Sequence, residues 1–254
     1  MFLPEPNPIA FTIIGLEVRW YGICIAVAIL TGLFIAYNRA PRHGIPQERI
    51  IDLALISLPM GIIGSRLYYV LFNWEQYADD FFKIINTRAG GLAIHGGLIF
   101  GLLAAAICCR LWRISPLNLL DLTVPSIALA QAIGRWGNYF NQEAHGGPTG
   151  LPWAIEINGE MVHPTFLYES VWCFTLFFVL LLIDNRRSYT GQTFLLYGIL
   201  YSVERFFVEQ LRTDSLMLGP FKTAQIVSAA VFILFLFIYI YMSKKYSKKN
   251  RMFY

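Results

Sequence analysis

The chain has 254 residues, of which 56% are hydrophobic and only 14% charged, with a net charge of +4. Soluble domains carry about 25% charged residues, so this composition excludes a disordered chain and an ordinary water-soluble enzyme and leaves a multi-pass membrane protein. The 36 formal charges are then the informative residues, because each must lie in a loop or have a reason to stand in a membrane.

Taken in chain order, the first 18 residues hold Glu5 and Glu17 but no Lys or Arg, so the basic region of a cleavable leader is missing. Trp20–Tyr37 carries no formal charge, Leu53–Phe72 only Arg66, and Gly91–Cys109 only His95. Pro164–Ile183 carries only Glu169, and Thr223–Met242 none. Each is long enough to cross a hydrocarbon core of about 30 Å. Two weaker segments, Leu122–Gly134 and Thr193–Val208, raise the expected number of transmembrane helices to seven; the second contains Glu204 and Arg205. The expected fold class is therefore all-α and polytopic, in a single transmembrane domain over 1–254.

Twelve of the twenty basic residues fall in the loops at 39–49, 110–113 and 184–191 and in the tail at 243–254. From Trp136 to Asn185 there is no Lys or Arg, although Glu143, Glu156 and Glu160 lie there. The positive-inside rule then puts the C-terminus in the cytoplasm, and the N-terminus and the loop at 136–163 outside. Such clusters, the terminal one above all (Lys244, Lys245, Lys248, Lys249, Arg251), suit a membrane surface and not nucleic acid. On this topology the ionisable groups within spans gather in the outer halves of their helices. That favours a polar cavity open to the outer leaflet over a channel or transporter, which needs polar groups through to the inner side.

Four segments carry candidate chemistry. In 134–146, Arg135 offers a planar fork of donors suited to phosphate, with Gly134 and Gly137 leaving space beside it. Asn138, Asn141 and Glu143 are placed to fix that fork, and Gly146 to permit the loop turn; the plain alternative is a helix cap with a snorkelling arginine. In 88–97, His95 stands among glycines. Gly97 and Gly101 form a small-residue face for helix packing, Gly96 leaves room beside the imidazole, and a histidine moves protons near neutral pH. Tyr201, Arg205, Glu209 and Arg212 share one helix face, either as a self-neutralising stripe or as a cavity wall in which Glu209 holds Arg205 or Arg212. In 163–169, Glu169 needs a partner, Arg66 or Arg135, and His163 is a second proton carrier or an interfacial residue. No metal-ligand spacing, P-loop, dinucleotide fingerprint or nucleophile elbow is present. The four cysteines lie in apolar runs, without the setting an intramembrane hydrolase would want for a nucleophile.

With these residues assembled, the chain resembles the prolipoprotein diacylglyceryl transferase family. G-R-W-G-N-Y-F-N-Q-E-A-H-G at 134–146 looks like its signature. R-W-Y-G at 19–22, A-I-H-G-G at 93–97, H-P-T-F-L-Y-E at 163–169 and E-R-F-F-V-E-Q-L-R at 204–212 also match, in order over nearly the whole length. Tyr139 departs from the usual Phe, and the loop at 147–162 is shorter than in many relatives. The resemblance implies an enzyme of the bacterial plasma membrane. It would move a diacylglyceryl group from phosphatidylglycerol to the lipobox cysteine of a preprolipoprotein signal peptide, without a cofactor, at the outer face. It implies His95 as base, Arg135 and Arg205 on the phosphate, and Tyr21 and Tyr201 as hydrogen-bond donors. Asn138, Glu143, Gly146, Glu209 and Arg212 would complete the substrate site.

Overall fold

The computed structural model describes residues 6–78, 80–87 and 90–251, except the side chains of 81 and 248–251. Arg88, and the side chains of Lys248, Lys249 and Arg251, lie outside the described residues. The chain is an all-α polytopic membrane protein. Its long helices are α1 (Trp20–Arg39), α2 (Gln47–Phe72), α4 (Ile94–Trp112), α5 (Pro116–Phe140), α6 (Thr165–Asp184), α7 (Gln192–Leu211) and α8 (Thr223–Arg251), with a short α3 (Phe81–Ile85). Among the described residues, all the long helices but α7 are apolar enough to cross a membrane. The two weakest sequence segments become full helices of 25 and 20 residues, α5 and α7, joined by polar contacts such as Tyr197 to Gln131 and the Phe194 amide to Asp121. Three tight hairpins complete the fold: β1 (Ile9–Ile13) with β2 (Leu16–Arg19), β3 (Ile155–Ile157) with β4 (Glu160–Val162), and β5 (Met217–Leu218) with β6 (Phe221–Lys222). The second turns on Asn158–Gly159, both at positive φ (52° and 79°), as a two-residue hairpin requires.

The chain divides into two compact units, Met1–Ile35 with Leu120–Tyr254, and Ala36–Leu119. In the larger unit α5 and α6 share a core of Val124, Ala128, Leu129, Leu176, Phe177 and Leu180, against which Phe194, Tyr197 and Leu200 of α7 pack. Gly32 lets α1 approach α5, and a Cβ on Gly198 would fall 2.3 Å from the Phe235 ring, so α7 and α8 depend on that glycine. Leu30, Phe34, Leu182 and Phe237 are 66–69% exposed, as expected of faces that meet lipid tails instead of water. Asp121, fully buried on α5, caps α7: its carboxylate accepts from the Gly191 and Phe194 amides at 2.6 and 2.9 Å and from Arg187 at 3.1 Å. At the other end of α7, the Lys222 ammonium donates to the carbonyls of Glu209, Gln210 and Arg212 at 2.8, 3.2 and 2.6 Å, where the helix dipole favours a cation.

In the smaller unit α2 and α4 meet backbone to backbone. A Cβ on Gly96 would sit 2.2 Å from the Gly64 carbonyl oxygen, and Gly97 and Gly101 face Gly61, Ser65 and Ser57. The small-residue packing read from the sequence is present. The room expected at Gly96 beside the imidazole is instead filled by the backbone of α2. Arg66, 6% exposed, spends its fork on four backbone carbonyls, those of Lys83, Ile84, Gly90 and Gly91, at 2.6–2.9 Å. A single guanidinium thus satisfies a loop that has little regular structure of its own.

Gly96→Leu is expected to force α2 and α4 apart, at a cost at or above the roughly 1–3 kcal/mol of overpacking. The readout is loss of protease-resistant protein in membranes; wild-type resistance would contradict the contact.

Candidate active site

The larger unit gathers charge at the ends of three helices, α5, α6 and α7. Glu169, in the first turns of α6 and 1% exposed, is the hub. Its Oε2 lies 2.5 Å from Arg135 Nη2 and 3.5 Å from Arg205 Nη1, and its Oε1 3.8 Å from Arg212 Nη1. Arg205 is held a second time by Glu209, one helical turn further on, at 2.5 Å. The partner of Glu169 is therefore Arg135, and Arg66 is committed elsewhere. Glu209 holds Arg205, whereas Arg212 turns its fork to Asp214, donating from Nε and Nη2 at 2.9 and 2.7 Å. Those hydrogen bonds hold the Asp214 carboxyl below the usual carboxylate range. The Arg135 and Arg205 side chains keep 21% and 19% exposure, so the cluster is open enough to be reached.

The surrounding residues differ in part from the sequence expectation. Asn138 and Glu143 do not orient Arg135 directly; the Asn138 amide donates to Glu143 Oε1 at 2.9 Å, and the Glu143 amide to the Asn138 carbonyl at 3.0 Å, closing the turn after α5. The space at Gly137 is taken by the Tyr21 ring, whose Cδ2 would lie 2.8 Å from an added Cβ. Tyr21 thereby sits over the end of α5, within electrostatic reach of Arg135 and Glu143. Tyr201 stacks on Tyr197 with centroids 5.7 Å apart and faces Arg135, Glu169 and Arg205. Gly146 is buried where the loop passes between α6 and α7: its amide donates to the His163 carbonyl, and a Cβ would meet His163 at 2.6 Å and the Leu211 carbonyl at 3.1 Å. The neighbouring Thr165 hydroxyl donates to the Ala144 carbonyl.

Beside the cluster runs an apolar groove of about 660 Å³ between α1, α5 and α6. Trp20, Val27, Ile133, Trp136, Leu167 and Phe174 are among its walls. Trp136 follows Arg135 directly, so one helix end presents a guanidinium to the cluster and an indole to the groove. His95 belongs to the smaller unit, in the first turn of α4. It is exposed, with its ring 6.1 Å from that of Tyr68. His163 Nδ1 lies 3.3 Å from the Tyr168 hydroxyl, which also accepts from Trp153 at 2.9 Å. Among the described residues no group of three or more His, Cys, Asp or Glu is placed to hold a metal ion. Sequence reading missed Asp214 and Lys222, which stand two and ten residues beyond Arg212 and whose contacts depend on the turn after α7. It noted Glu204 only as a charge within Thr193–Val208 and gave it no role.

Glu169→Gln removes the shared counter-charge from three arginines. The expected cost is about 3 kcal/mol, the low end for breaking a buried ion pair because the arginines keep some exposure. It would be read as a lowered thermal midpoint of the purified protein, and an unchanged midpoint would remove Glu169 from the hub role.

Comparison with known proteins identifies the family. Residues 8–241 match the family model described as prolipoprotein diacylglyceryl transferase. A phosphatidylglycerol–prolipoprotein diacylglyceryl transferase of Clostridioides difficile is 49% identical over 95% of this chain and 97% of its own length. Proteins of the same name from Finegoldia magna and Bacillus cytotoxicus are 44% and 43% identical, over 95% and 98% of this chain and 98% and 96% of their own lengths. A full-length match at this identity, on a chain whose polar side chains converge as described, means that the protein belongs to the prolipoprotein diacylglyceryl transferase family.

Proposed function

We propose that the protein transfers the sn-1,2-diacylglyceryl group of phosphatidylglycerol to the lipobox cysteine thiol of preprolipoproteins, the first step of bacterial lipoprotein maturation. The observation that carries the reading is the pair of partly exposed guanidiniums, Arg135 and Arg205, bridged by Glu169 beside an apolar groove. A phospholipid needs both parts, cations for its phosphate and an apolar trough for its tails. The names of the relatives supply the same substrates.

The reaction needs a thiolate. A free thiol has a pKa near 8.5 and is only a few per cent ionised at pH 7, so a base must take the proton, and the family resemblance assigns this to His95. The sulfur then attacks the glyceryl carbon that bears the phosphate ester. The carbon–oxygen bond breaks, and the products are the thioether and glycerol phosphate. Arg135 and Arg205 would stabilise the charge that grows on the phosphate, with Glu169 and Glu209 fixing their forks. Tyr21 and Tyr201 would donate to the lipid head, Arg212 would line the phosphate side, and Asn138, Glu143 and Gly146 would hold the loop that receives the peptide. The topology we favour is seven spans in one functional domain of the plasma membrane. The loop at 136–163 and the site would face outward and the tail at 243–254 the cytoplasm, because the basic loops require it.

Purified protein in phosphatidylglycerol vesicles with a lipobox peptide should yield a lipidated, slower-migrating peptide without added nucleotide or metal; no product under these conditions would refute the reading. Arg135→Lys keeps the charge but lacks the fork, and its rate should fall by about 10²–10³. Full activity in that variant would take Arg135 off the phosphate. His95→Asn should lose most of its activity near pH 7, and wild-type rates across a pH series would exclude His95 as the base.

A further inference from the structure

Glu204 has no part in the reaction as written, yet its surroundings are unusual. It is 5% exposed on α7, and neither carboxyl oxygen has a hydrogen-bond partner among the described residues. The groups that act on it are Arg135 from α5, Glu169 and Cys173 from α6, and Tyr201 and Arg205 from its own helix. The short contacts of those arginines go to other carboxylates: Arg135 to Glu169, and Arg205 to Glu169 and Glu209. A charged carboxylate buried without a donor and beside another carboxylate is costly. A protonated one brings an O–H donor of its own. Such a donor, next to two arginines and lacking an acceptor, matches an anionic phosphate oxygen.

We propose that Glu204 stands as a neutral acid beside the phosphate held by Arg135 and Arg205 and hands its proton to the departing glycerol phosphate. The inference rests on the transferase reading. The bond from sulfur to the glyceryl carbon forms, the carbon–oxygen bond breaks, and its electron pair stays on the phosphate oxygen. Glu204 protonates the phosphate, so glycerol phosphate leaves as a monoanion and not as a dianion, the poorer leaving group. His95 gives up the thiol proton to water and Glu204 regains one from water, so the reaction releases no net proton.

The test is Glu204→Gln, which keeps the shape and a donor but has no transferable proton, assayed across pH in phosphatidylglycerol vesicles with a lipobox peptide. The KM for lipid should stay within about twofold while kcat falls on the order of 10², and the alkaline limb of the wild-type profile should vanish. Wild-type kcat with an unchanged profile, or a raised KM at constant kcat, would overturn the assignment. Glu204→Asp, which keeps the proton, should retain the alkaline limb and more rate than the Gln variant. Equal losses in the two would mean a packing role and would also overturn it. Absence of product from the wild-type protein would count against the transferase reading itself.

Discussion

The arrangement of the larger unit depends on one buried carboxylate. Glu169 is removed from solvent, and a charge in that position is stable only if cations come to it. Arg135 arrives from the end of α5, and Arg205 and Arg212 from the end of α7. Three helix ends are thereby held at one place, in an environment where hydrocarbon supplies no competing ligand for any of them. Because Glu169 takes only part of each fork, the guanidiniums are fixed in direction without being consumed. The clamp that orders the helices also leaves the donors that our proposal gives to the lipid phosphate.

Other charges do different work, set by the same scarcity of water. Asp121 takes over the open amides at the start of α7, and Lys222 the open carbonyls at its end. Arg66 satisfies four carbonyls of a loop in the smaller unit. A helix terminus or irregular loop near the bilayer must find its partners within the protein, and a single charged side chain with several donors or acceptors meets that need compactly. The low charge content therefore does not separate functional from structural residues. Arg66 and Arg135 are both lone arginines near span ends, and only their partners distinguish them.

Much of the architecture was legible in the chain. Apolar runs of about twenty residues, each with at most one Asp, Glu, Lys, Arg or His, located five helices. The periodicity of Tyr201, Arg205, Glu209 and Arg212 located the polar face of a sixth, and Gly97 and Gly101 marked a close helix contact. Asn158–Gly159 carried a hairpin signal that went unused. The composition of α7 concealed its full length, since Glu204, Arg205 and Glu209 lower its hydropathy. Arg205 meets Glu169 of α6 and Glu209 one turn on, and Tyr197 donates to Gln131 of α5; the contacts outside the helix are invisible in a linear window.

The sequence by itself determined the class of the protein, the places of its long apolar helices and the side chains we propose for the phosphate. These follow from local composition and helical spacing, and from motifs that stay contiguous in the chain. Only the tertiary structure decided which charge meets which: Glu169 with Arg135 instead of Arg66, Glu209 with Arg205, Asp214 with Arg212, the Tyr21 ring over Gly137, and Glu204 with no donor. Those pairings join residues as much as 116 positions apart (Tyr21 and Gly137). In a low-dielectric interior the energy of a charge depends on its neighbours in space, which a linear pattern does not specify.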